Sequence, residues 1–136
     1  MEKKRFIVEL GSGIDLHGMD VTKAACRAVR DAIGRSCLCG LVEILDRPGF
    51  EGVSIDVTIA CPFPEQVDSV KVLAELPVGT CNLHTVQGGM IAQGLCVPSF
   101  GENCSSILMA NAAITVFVDM PGQKSDGRSG RSNHDR

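Results

Sequence analysis

The residues best equipped to do chemistry are gathered in one short segment, Gly11-Ser12-Gly13-Ile14-Asp15-Leu16-His17-Gly18. A carboxylate two residues from an imidazole can converge with it when the backbone between them is extended. It then orients the ring's tautomer and raises its basicity, as a general base requires. The same two side chains also suit a divalent cation. A third reading is architectural: Asp15 and His17 hold the turn through hydrogen bonds to its own backbone. The neighbouring residues add a binding property. Gly11, Ser12, Gly13 and Gly18 let a ligand approach the main chain closely, and a loop that leads into a helix aims backbone donors and the positive end of the helix dipole at an anion. The spacing is not that of a dinucleotide fingerprint, which needs a third glycine further on, nor of a P-loop, which needs Gly-Lys-Ser/Thr.

Other reactive side chains are scattered. His84 lies in Asn82-Leu83-His84-Thr85, where strand alternation puts Asn82 and His84 on one face; a lone strand histidine is more commonly structural. If His84 reaches the loop, Asp15, His17 and His84 make a three-ligand set with room for water, a pattern compatible with hydrolytic zinc. Asp119, at the end of an apolar run, is a further carboxylate with an exposed strand end as its plain reading. Cys37-Leu38-Cys39 lacks the two-residue gap of zinc and redox motifs. Cys61, Cys81, Cys96 and Cys104 sit in or beside predicted strands, where a thiol behaves as a small hydrophobe.

These groups must be carried by strands and helices, and the apolar pattern lays them out. Arg5–Leu10 reads as a strand ended by Gly11-Ser12-Gly13, and Asp20 supplies an N-cap oxygen. Val21, Ala24, Ala25, Ala28, Val29, Ala32 and Ile33 recur at three- and four-residue spacing, so a helix runs to Gly34 with an alanine-rich face able to lie close on a sheet. Val53, Ile55, Val57 and Ile59 alternate with Ser54, Asp56, Thr58 and Ala60, the period of a strand with one buried face. Pro64 opens a shorter helix carrying Val67, Val70 and Leu73 up to Pro77. Thr80–Gln87 reads as a third strand, Gly88-Gly89 as a turn into Met90–Val97, and Ile114–Val118 as the last strand; Ser105–Ala112 fits helix or loop. Few helices, each with a single apolar face, favour an α+β two-layer sandwich, a mixed sheet with helices on one face. The other sheet face then needs cover, which predicts a homo-oligomer.

Composition narrows the function classes. The chain has 136 residues, the size of one domain, taken here as residues 1–120, with a polar tail over 121–136 read as disordered and His134 within it. Seven cysteines, an odd number at irregular spacing, fit reduced thiols in a cytoplasmic protein better than a secreted disulfide framework. No apolar run reaches transmembrane length, so no membrane partner is expected. A net charge of −3, with neither Trp nor Tyr, argues against nucleic acid, which calls for basic patches and aromatic platforms.

Read together, Gly11, Gly13, Asp15, His17 and Gly18 spell Gly-x-Gly-x-Asp-x-His-Gly, and the chain to about Asp119 resembles the Lin-type family of conserved hypothetical proteins, which has a glycine-rich Asp/His motif near its N-terminus. That resemblance implies no activity, but it weights Asp15 and His17 towards function. A fainter one, on Leu10-Gly11-Ser12-Gly13 and Val21-Thr22-Lys23-Ala24, is to the ring-opening amidohydrolases of the cyanuric acid hydrolase and barbiturase type. Their serine-lysine dyad finds no secure counterpart, since Lys23 and Lys71 are the only lysines between Lys4 and the tail. Two functions follow as expectations: a small-molecule hydrolase or isomerase with Asp15, His17 and His84 as acid/base groups or ligands of a divalent metal, or a non-catalytic oligomer binding a small anion on Gly11, Ser12, Gly13 and Gly18.

Overall fold

The computed structural model describes residues 1–100 and 105–122. Its strands are β1 (Glu2–Asp15), β2 (Val53–Cys61), β3 (Thr80–Gln87), β4 (Met90–Gln93) and β5 (Ser106–Met120), and its helices α1 (Val21–Ile33), α2 (Cys39–Glu43) and α3 (Ser69–Leu73). The strands form one mixed sheet in the order β1-β5-β2-β3, with β4 pairing β5 as well. Strand β5 is antiparallel to β1, β2 and β4, while β2 and β3 run parallel. The α+β architecture expected from the pattern is the one found. Cys104 and all but the first two residues of the tail, His134 included, lie outside the described residues.

Two strands are longer than the sequence indicates. Residues 11–15, read as a loop, continue β1 opposite β5, from Gly11↔Ala112 to Asp15↔Leu108. Residues 106–112, left between helix and loop, are the first half of β5. Alternation explains both: Leu108, Ala110, Ala112, Ile114, Val116 and Val118 are buried in one unbroken period of two. The glycines and alanines within it weaken strand propensity locally, and pairing along the whole length of β1 overrides that.

The small residues have a packing purpose. Gly11 and Gly13 face Ala112 and Ala110 across the pair, making a shallow trough in the sheet. Helix α1 lies in it on Ala24, Ala28 and Ala32, all buried. A Cβ on Gly13 would fall on the Ala24 carbonyl oxygen and the Ala28 nitrogen, and one on Gly11 on the Ala32 nitrogen. The helix backbone thus touches the sheet backbone. Helix α1 starts as expected, with the Asp20 carboxylate accepting from the Lys23 N–H, 3.1 Å.

The segment after β2 differs in detail. Pro64–Gln66 is a single 3-10 turn, and α3 begins afresh at Asp68, whose carboxylate accepts from the Val70 and Lys71 N–H groups. That phase buries Val72 and leaves Val70 79% exposed, so the apolar face is not the expected one. Met90–Gln93 is strand, while 94–97 is not. The free edge of β1 is covered by α1 side chains: Asp31 accepts from the Ser12 N–H at 2.9 Å, and Arg27 donates to the Ile14 carbonyl at 2.6 Å. The Ser12 N–H bond, and after it Arg35, hold the Asp31 carboxyl below its usual range.

Away from the helices the sheet carries rows of side chains, among them Leu10, Ala113, Thr58 and His84. Val8 and Leu10 on the β1 side of this face are 52% and 68% exposed. The trough predicts a specific sensitivity: Gly13→Ala, harmless on an ordinary strand, should cost at least about 3 kcal/mol, because its methyl group meets main chain and not a side chain that can turn away. Denaturant unfolding of that variant beside Ser12→Ala, one residue away on the exposed face, checks it.

Candidate functional site

The inward positions of β1 after its bulge near Phe6 are Ile7, Glu9, Gly11, Gly13 and Asp15. Helix α1 covers the two glycines, and an acidic residue stands beyond each of its ends. Asp15 is at the helix start. It is 2% exposed, and its Oδ2 accepts from the Asp20 N–H at 2.8 Å. Gly18 at φ 94° and Met19 at φ 53° fold residues 16–20 around this carboxylate. A relay results: Asp15 holds Asp20, and Asp20 caps α1.

Two cations face the same carboxylate. Lys23 Nζ and Arg27 Nη1 each lie 3.9 Å from Asp15 Oδ1, longer than a hydrogen bond, and their side chains remain about half exposed at 53% and 42%. With Leu16 and the half-buried His17 they line a surface pocket of about 360 Å³. One buried carboxylate between two cations leaves a surplus of positive charge there. On the other flank of Lys23 and Arg27 runs a larger cleft, about 520 Å³, with Arg30, Lys71 and Glu75 in its walls. Its Arg30 is bound to Glu75 through two N–H···O bonds of 2.6 and 2.7 Å, which hold the Glu75 carboxyl below its usual range.

The expected site residues therefore separate. Asp15, His17 and Gly18 stay together at the helix start. Gly11 and Gly13 are under α1, Ser12 faces away from it, and none of the three forms an anion-binding loop, because this stretch is strand. His84 stands exposed on the opposite sheet face, three strands from β1 or about 14 Å in strand spacings. Its row meets β1 at Leu10, not at Asp15. The three-ligand arrangement of Asp15, His17 and His84 is thus not formed, and among the described residues no group of three His, Cys, Asp or Glu side chains is placed to hold a metal ion. Asp119 is at the other end of β1, paired with Lys3 in register.

Cys26, Cys61 and Cys81 are not activated nucleophiles. Burial pushes the thiols of Cys26, Cys61 and Cys81 up, with Glu75 and Glu65 adding to the first two. Cys37 and Cys39 are exposed and free, whereas Cys96 is disulfide-bonded, contrary to the uniformly reduced set expected. Sequence reasoning missed Lys23 and Arg27 as neighbours of the Asp15 carboxylate. It also missed Glu9, 8% exposed beyond the other end of the helix. The signal for Glu9 was present: a carboxylate on the inward phase of a strand.

Residues 5–116 match a protein-family model described as "Conserved hypothetical protein (Lin0512_fam)". The chain is also similar to a crystal structure from Nostoc punctiforme PCC 73102, described as an FtsZ-like protein of unknown function, with 43% identity and a TM-score of 0.79 over 88% of this chain and 99% of that one. No curated protein matches the chain at a significant level. Among the described residues, no helix is long and apolar enough to cross a membrane.

The relay through Asp15 gives unequal expected outcomes for the two residues of the motif. Asp15→Ala strands the Asp20 N–H and loosens the cap, so unfolding should be easier by about 2–3 kcal/mol. His17→Gln should cost less than about 1 kcal/mol. Urea titrations of the two variants, with helix content read at the same time, measure the difference.

Proposed function

The chain belongs to the Lin0512 family of conserved hypothetical proteins, a kinship that brings no activity with it, and we propose from its geometry that it binds a small anion. The pocket of Asp15, Leu16, His17, Lys23 and Arg27 is the site. One observation carries this reading: two cations share a single buried carboxylate at 3.9 Å, beyond hydrogen-bonding length, so neither spends a donor hydrogen on it. Arg27 is steadied by its bond to the Ile14 carbonyl, and the start of α1 adds the favourable end of its dipole. A phosphate or a carboxylate matches such a site, with donors of Lys23 and Arg27 facing it and the His17 ring in the wall.

The hydrolase or isomerase reading has less behind it. Asp15 lines the pocket, but it is only 2% exposed and its Oδ2 is spent on the Asp20 N–H, so it lacks the reach a general base needs. His17 alone would have to carry proton transfer. The FtsZ-like neighbour is itself of unknown function and adds no activity.

A second part of the proposal concerns assembly. The apolar side chains of Val8, Leu10 and Ile14 point away from the helices on an edge strand, and a second copy of the chain covers them in a homo-oligomer. Small ligands and further copies of this chain are then the partners, in a cytoplasmic setting.

Both parts are measurable. Inorganic phosphate or citrate at millimolar concentration should raise the thermal midpoint of the wild type, since a ligand of the folded state alone stabilises it by mass action, and should leave Lys23→Glu unmoved. No shift in the wild type with either anion defeats the binding reading. Light scattering at micromolar concentration should give a mass above the 14.4 kDa chain, falling towards it in Leu10→Lys; a wild-type monomer throughout defeats the assembly.

A further inference from the structure

A second cavity, separate from the cationic pocket, opens beyond the C-terminal end of α1. Its volume is about 240 Å³, and its walls include Ile33, Leu38, Phe50, Ile114 and Val116. Glu9 stands among them, more than nine-tenths buried. Its strand partner is Ile114. Ser36 is the one other polar side chain in the lining. No side chain or backbone group among the described residues donates to the Glu9 carboxyl or pairs with it. Every fully buried side-chain oxygen among those residues has a partner, so the unpartnered Glu9 oxygens are reached through the cavity.

That combination is costly to the fold. A carboxyl in apolar surroundings without a protein donor gives up part of its hydration and gains no bond in return. Phe50, which shares the lining, is held at φ 58°, in the left-handed region that bulky side chains avoid. Unsatisfied polarity and backbone strain at one apolar cavity are what a preformed binding site retains at the expense of stability.

We propose that this cavity binds a small organic amine, with its protonated nitrogen on the Glu9 carboxylate and its hydrocarbon body against Ile33, Leu38, Phe50 and Ile114. The volume lies below the roughly 300–1,000 Å³ of drug-sized pockets, so the ligand is correspondingly small. An ammonium group supplies both the hydrogen bonds and the charge that Glu9 lacks, whereas a carboxylate or phosphate ligand would be repelled. The acidic lining sets this cavity apart from the cationic pocket at the other end of the helix, and the two sites take ligands of opposite charge.

Benzylamine, benzyl alcohol and toluene share one body and differ in the head group, so titration calorimetry with the three separates charge from shape. Benzylamine is expected to bind the wild type at least tenfold more tightly than benzyl alcohol, with toluene weakest. Glu9→Gln should reduce benzylamine binding by at least tenfold and leave toluene unchanged. The thermal midpoint of Glu9→Leu should rise, because the unpartnered carboxyl is gone. Equal affinity of the wild type for benzylamine and toluene overturns the proposal, as does benzylamine binding that survives in Glu9→Gln. If Glu9→Gln fails to fold, the wild-type ranking of the three probes decides alone, and a lower midpoint in Glu9→Leu would show the carboxyl to be structural.

Discussion

The contact on which the molecule depends is the one between two main chains, α1 against β1, with no side chain of the strand between them. Gly11 and Gly13 on β1, Ala110 and Ala112 beside them on β5, and Ala24, Ala28 and Ala32 on the helix form one continuous patch of small residues. Dispersion attraction falls off steeply with separation, so close approach turns a poor hydrophobic surface into a good one. The edge of β1 is closed by the same helix through Asp31 and Arg27. Helix position, strand edge and cap are therefore fixed together.

This contact also sets where polar groups can stand. On the inward side of β1, positions two apart read Glu9, Gly11, Gly13, Asp15, and a thirteen-residue helix, about 20 Å long, covers the middle of the run. An acidic side chain under the helix would have no room. One beyond each end has room and meets different surroundings: Asp15 enters a charged network at the helix start, and Glu9 an apolar hollow past its finish. Two carboxylates six residues apart on one strand acquire opposite roles, the first satisfied and structural, the second unsatisfied and open to a ligand.

Much of this is legible in the residues themselves. The alanine face of α1, its Asp20 cap, the alternation of β2 and the limits of β3 follow from local periodicity, and the two-layer α+β arrangement follows from those. The glycines misled for a physical reason. A Gly-Ser-Gly run has the same local preferences whether it forms a ligand loop or lies beneath a helix, and the difference rests on β5, about a hundred residues later. His84 shows the same limit, since alternation assigns its face but not the strand order that carries it away from Asp15. Lys23 and Arg27 look like any solvated helix face until the fold places a buried carboxylate beneath them.

Strand β5 pairs with β1, β2 and β4, yet it is the last of these strands to leave the ribosome. At translation rates of about 5–20 residues per second, β1 waits on the order of ten seconds for its partner. During that interval α1 has no trough to lie in, because half of the trough belongs to Ala110 and Ala112. The hydrogen-bonding edges of β1 and β2 stay unsatisfied meanwhile, and the nascent chain is open to pairing with other chains. Completion of the sheet is thus a late, long-range event, and premature release of the polypeptide leaves a fragment that lacks its central strand.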